Sequence, residues 1–161
     1  MFGEKVFAGQ LKRERAMVDE EPGACLSVRL SLARDIDGAT INLNGYRRRY
    51  QAILWVCPGD EYITDIALGL PNPCWNCTSH FSVGIYEPYF LHVEVYRIGS
   101  KLDPGTSNGI VLVGRTRIPV PKLDHKICGS YVLVRPNYDA ASGSGCIAEG
   151  QVVLGMETGR L

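Results

Sequence analysis

The sequence contains no apolar run approaching the roughly 18 residues that mark a membrane-spanning helix, so no such span is expected. It also has no excess of charge, because seventeen Lys and Arg balance seventeen Asp and Glu. A global field that would draw the chain onto nucleic acid or an acidic membrane is therefore missing. Nucleic acid is not an expected partner, and any electrostatic partner must be met by a local patch. Three histidines, His80, His92 and His125, stand in separate segments. There is no Gly-x-Ser-x-Gly elbow, no paired-carboxylate motif and no phosphate-cradling glycine loop to accompany them. Enzymatic activity is accordingly not expected. Long stretches of 3.6-residue periodicity are missing as well, which argues against a helical fold.

What is present is period two. In "CLSVRLSLA" Leu26, Val28, Leu30 and Leu32 alternate with Ser27, Arg29 and Ser31, the pattern of a half-buried strand. "RYQAILWV", "EYITDI", "SHFSVGI", "YFLHVEVY", "IVLVGRTRI", "SYVLVRP" and "AEGQVVLGM" come after it. Each is rich in β-branched or aromatic residues and bounded by turn formers. "PGD", "LPNP", "DPG", "PVP" and "ASGSG" supply turn chemistry at the spacing of an antiparallel sandwich. Residues 1–24 mix charges of both signs without clear periodicity and are expected to form an extension of the domain. They carry no apolar stretch like a secretory signal, and Phe2 stands where myristoylation needs glycine. A cytoplasmic protein is the resulting expectation. Its six cysteines are then expected to be reduced, and the "NCT" sequon at Asn76 to be without consequence.

Several segments, taken in order, resemble the C2 domain, and in particular the short single-domain plant C2 proteins. "LSVRLSLARDI" resembles that family's first strand. "GYRRRYQAILWV" sits where the family enters its second strand through Gly-x-x-Asp-Pro-Tyr, and "NPCWN" resembles its Asn-Pro-x-Trp-Asn turn. "LHVEVYRIGS" followed by "DPGTSNGIVLVGRTRIPVP" resembles its fifth strand, third loop and sixth strand. "GSYVLVRP" and "EGQVVLGMETG" resemble the closing pair. The resemblance runs over residues 25–157 and leaves 158–161 as a tail. It implies an all-β, eight-stranded antiparallel sandwich whose loops at one end bind calcium and membranes in many relatives. It further implies a non-enzymatic adaptor in calcium-linked stress or defence signalling. Such an adaptor would bring signalling protein partners to anionic phospholipid on the cytoplasmic face of the plasma membrane.

The resemblance also places the candidate loop residues. Calcium needs six to eight oxygens, with several carboxylates converging on one point. Asp35 and Asp37 are available in the first loop and Asp103 in the third, but Arg48 replaces the Asp-Pro-Tyr aspartate. Arg97 and Gly99 replace the pair that usually follows the fifth strand. One calcium on Asp35, Asp37 and Asp103 would be held weakly, at about 10⁻⁴ to 10⁻³ M. The competing reading is that these aspartates shape turns. The substitutions suggest instead that Arg47, Arg48, Arg49, Arg97 and Lys101 supply fixed positive charge for anionic lipid, each contributing about 1 kcal/mol near the bilayer. Against this, alternate residues of "RRRY" face opposite sides of a strand, so that one packs and its neighbours stay solvated. A genuine calcium sensor and a protein-interaction module that never touches lipid remain as alternatives. In "CWNCTSH", Cys74, Cys77 and His80 have the spacing of half a zinc site or of a redox pair. They read more simply as small residues flanking the core residue Trp75. His92, on the face opposite Leu91 and Val93, reads as surface or a satisfied pair.

Overall fold

The computed structural model describes residues 23–40, 45–69, 71–86, 88–99, 107–137 and 145–161. Nine strands occur among them: β1 (Gly23–Arg34), β2 (Arg49–Trp55), β3 (Tyr62–Ile63), β4 (Ala67–Leu68), β5 (Cys74–Gly84), β6 (Phe90–Ile98), β7 (Ile110–Pro119), β8 (Lys126–Pro136) and β9 (Cys146–Arg160). All pairings are antiparallel and run in the order β3-β2-β6-β7-β8-β9-β1-β5, with β4 also on β2. A single residue pair, Arg115 with Val134, joins β7 to β8. The path therefore divides there into two layers, one built on β2, β6 and β7 and the other on β8, β9, β1 and β5.

Period-two sequence becomes burial directly. Leu26, Val28 and Leu30 of β1, Tyr50, Ala52 and Leu54 of β2, and Leu91, Val93 and Val95 of β6 are all buried. With Phe81, Val83, Val152, Leu154 and Met156 they form one core shared by both layers. Each large side chain so removed from water contributes about 1.5–3 kcal/mol.

Two local patterns differ from the sequence expectation. The register of β1 shifts between Leu30 and Leu32, so the inward phase passes from Leu32 to Ala33, which is fully buried while Leu32 is only half-buried. A bulge of this kind inserts one residue and re-aims the side chains beyond it. The expected strand "EYITDI" is interrupted after Ile63. Thr64 leaves the ladder because its buried Oγ1 accepts the Ala52 N–H at 3.0 Å and donates to the Asp65 carbonyl at 2.8 Å. The eight expected strands thus become seven long ones and two of two residues each. At the end of the domain β9 continues to Arg160, so the closing strand takes in most of the expected tail.

Candidate functional site

The first loop leaves β1 along a path that only particular residues allow. Gly150 of β9, at φ +81°, lies beneath it, and a Cβ there would come within 2.8 Å of the Arg34 carbonyl, 2.9 Å of the Asp35 carbonyl and 2.6 Å of Ile36 Cγ2. The close approach lets Ile36 enter the core. Asp35, Asp37 and Gly38 on either side of it take left-handed backbone angles, which Asp tolerates better than most side chains. The Gly38 N–H donates to Glu149 Oε2 at 2.7 Å, and Arg135 Nε donates to the other Glu149 oxygen at 2.7 Å. The loop is thereby fastened to both β8 and β9.

This path delivers the Asp37 carboxylate to the mouth of the core, where three groups meet it. Tyr50 and Arg97 are cross-strand partners on β2 and β6, and both face inward. Arg97 Nη1 donates to Asp37 Oδ1 at 2.8 Å, and Tyr50 Oη donates to Oδ2 at 2.7 Å. Arg48 Nη1 lies 3.4 Å from the same Oδ2 and also donates to the Ala39 carbonyl at 2.9 Å. Arg97 is only 6% exposed, and the Asp37 side chain only 10%. Charge-assisted bonds in such surroundings are among the stronger polar contacts a protein makes. Burial, and then the hydrogen bond to Asp37, push the Tyr50 phenol far above its ordinary range. Its hydroxyl therefore stays a donor throughout the pH range of a folded protein.

The carboxylate is shared by two guanidiniums, so the cluster keeps one formal positive charge without any metal. These residues do not fit a calcium ion. Both oxygens of Asp37 are already engaged by donors, and an arriving dication would meet two cations that cannot be deprotonated. Asp35 is exposed, with its backbone in the left-handed region. Among the described residues no three His, Cys, Asp or Glu side chains group closely enough to hold a metal ion.

The structure thus separates the basic residues that the sequence grouped. Arg48 and Arg97 turn inward onto Asp37, whereas Arg47 and Arg49 are exposed on either side of Arg48, as strand alternation requires. Tyr46, 71% exposed, precedes them, and Ile110 is exposed at the start of β7. Lys101 and Asp103 lie outside the described residues. Cys74, Cys77 and His80 fall within β5 itself. Cys77 and Trp75 pack against the core, while Cys74 is exposed.

A second basic feature was missed in the sequence. On the outer face of the β2, β6 and β7 layer, a groove of about 480 Å³ is lined by Trp55, His92, Glu94, Arg115 and Arg117 among others. His92 is stacked on Trp55, with ring centroids 5.1 Å apart and planes 13° from parallel. Arg117 lies over the Phe90 ring at 4.4 Å, and Arg115 Nη1 stands 3.6 Å from Glu94. The signal was the alternation in "GRTRIP", which puts both arginines on the face opposite Gly114 and Ile118.

With this geometry in view, comparison with solved structures is decisive for the architecture. The first of the C2 domains of plant extended synaptotagmin 1 superposes with a TM-score of 0.57 over 88% of this chain and 98% of that one, at 15% identity. The chain has the C2 fold. Human GIVD cytosolic phospholipase A2 matches at a TM-score of 0.60 and 13% identity over 88% of this chain. The calcium-bound pair of C2 domains of extended synaptotagmin 2 matches at 0.58 and 16% identity over 85%. This C2 fold spans 16% of the phospholipase chain and 46% of the two-domain synaptotagmin chain. No family model and no curated protein sequence matches.

Proposed function

We propose that this C2-like domain is a peripheral, non-enzymatic module that binds anionic phospholipid without calcium. The observation that carries the reading is the Asp37 cluster. Buried Arg97 and partly buried Arg48 share the one Asp37 carboxylate, so the cluster keeps a positive charge without a metal. Arg47 and Arg49 then face outward next to exposed Tyr46, so cationic and aromatic groups share one surface, a combination suited to a headgroup layer. Arg115 and Arg117 offer a further anion-binding face. The wider role, an adaptor that brings signalling proteins to the cytoplasmic face of the plasma membrane in stress or defence responses, is supported by the resemblance to the short plant C2 proteins.

Sedimentation with phosphatidylserine-containing vesicles, in calcium or in chelator and at low and high salt, tests the reading. Binding in chelator that weakens with salt is expected, and Arg47→Ala with Arg49→Ala is expected to reduce it by about 2 kcal/mol, roughly 30-fold. Binding only in calcium would establish the sensor instead. No binding under either condition would leave a protein-interaction module.

A further inference from the structure

On the outer face of the other layer, β1 and β5 carry a group that the lipid reading does not use. Ser27 of β1 lies directly across from His80 of β5, and Cys25, two residues before Ser27 and opposite Ser82, lies diagonal to His80. His80 Nδ1 is 3.1 Å from Ser27 Oγ and 3.9 Å from Cys25 Sγ. With the ring proton on Nε2, the one lone pair of Nδ1 lies within reach of both the hydroxyl and the thiol and accepts from one of them at a time. On its other side Cys25 is paired with Gly159 of β9, where a Cβ would find nothing within 4 Å. Among the described residues nothing covers the sulfur on the Gly159 side, which is the side from which a small molecule would approach. Among the described residues, Cys25 is the cysteine that an imidazole reaches. Cys57, Cys74, Cys128 and Cys146 are more exposed, but none has such a base.

We infer that Cys25 is a peroxide-sensitive modification site in which His80 acts as the base. A thiol beside a base has the arrangement of an activated nucleophile. His80 Nδ1 takes the thiol proton, and the thiolate sulfur attacks one oxygen of hydrogen peroxide. The S–O bond forms as the O–O bond breaks, so the sulfur is oxidised by two electrons to sulfenic acid. The departing hydroxide takes the proton back from the imidazolium and leaves as water. Once Nδ1 carries the proton, its N–H donates to Ser27 Oγ, on the same strand as the sulfur. The charged neighbours on this face are Arg29, two positions beyond Ser27 on β1, and Glu157, which faces Ser27 from β9 and pairs with Lys126 of β8.

The test is residue-resolved labelling of the full chain, using iodoacetamide for thiol reactivity and peroxide with a sulfenic-acid trap for oxidation, both read by mass spectrometry. At about pH 7, Cys25 is expected to react roughly 10-fold faster than each of the four exposed cysteines. His80→Gln, which keeps a polar side chain but removes the base, is expected to bring Cys25 within about 2-fold of them. At about pH 10, where ordinary thiols ionise unaided, the advantage is expected to disappear. Cys25 reacting no faster than Cys128 or Cys146 in the unaltered protein would overturn the inference without any variant. An advantage that survives His80→Gln, or persists at high pH, would show that the imidazole is not its source and equally exclude the base.

Discussion

Asp37→Ala is expected to lower the unfolding free energy by about 3–5 kcal/mol, the range seen when one member of a buried ionic group is removed and its partners remain. The reason lies in the partners. Arg97 is almost wholly buried, and its ion pair with Asp37 is shorter than that of Arg48. Removing the carboxylate leaves two guanidiniums and a phenol without the acceptor they share, in a place where water enters poorly. For a chain of this size the change corresponds to a melting temperature lower by on the order of 10 °C. Arg97→Met is expected to do less harm. Asp37 then keeps Arg48 and Tyr50, and the methionine fills much of the vacated volume with apolar atoms. Urea denaturation of both variants checks the order. A loss below about 1 kcal/mol for Asp37→Ala would place the cluster among ordinary surface pairs.

The second large effect is expected at Gly150. A methyl group there meets two backbone carbonyls and the Ile36 side chain at under 3 Å, and alanine must also adopt a left-handed angle. The angle alone costs about 1–2 kcal/mol and the overpacking about 1–3 kcal/mol. Gly150→Ala is therefore expected to destabilise by roughly 2–5 kcal/mol. The variant has a second consequence. Pushing residues 34–36 off β9 withdraws Asp37 from Arg97, so vesicle binding and stability should both change. Gly159→Ala, where the space is open, is the matched control and should leave stability within about 0.5 kcal/mol.

The sandwich was legible because nearly every strand announces itself through alternation, and the turn formers fall between them. Ser31 and Thr64 mark where that legibility stops. Nothing in "LSLA" says that one residue will be skipped, because a bulge answers to the partner strands and the exit direction of the loop. Thr64 looks like an ordinary strand residue until Ala52 is placed beside it. The orientation of Arg97 was more accessible than its role. It comes after Leu91, Val93 and Val95 at intervals of two, so the same periodicity that builds the core aims its guanidinium inward, and Arg48 stands in that relation to Tyr50, Ala52 and Leu54. An inward arginine calls for a buried carboxylate. Which aspartate answers depends on a loop held by Gly150 and Glu149, more than one hundred residues away in sequence, and local pattern carries no such information.

The pairing of β1 with β9 also bears on how the molecule is assembled. Ala24 lies opposite Arg160 and Leu30 opposite Leu154, so the middle of one layer is made from strands at opposite ends of the described chain. Among the described strands, β1 has only β5 beside it until β9 is in place, and the β7–β8 ladder consists of one residue pair. Contacts so distant in sequence require most of the chain entropy to be surrendered before they form, which places such topologies in the millisecond-to-second range of folding. The pairs closest in sequence are β6 with β7 and β8 with β9, so nucleation on these two hairpins, followed by late docking of β1 against β9, is the order this connectivity favours. A slowly filled gap beside β1 would leave the apolar inner face of that strand open to other chains in the meantime.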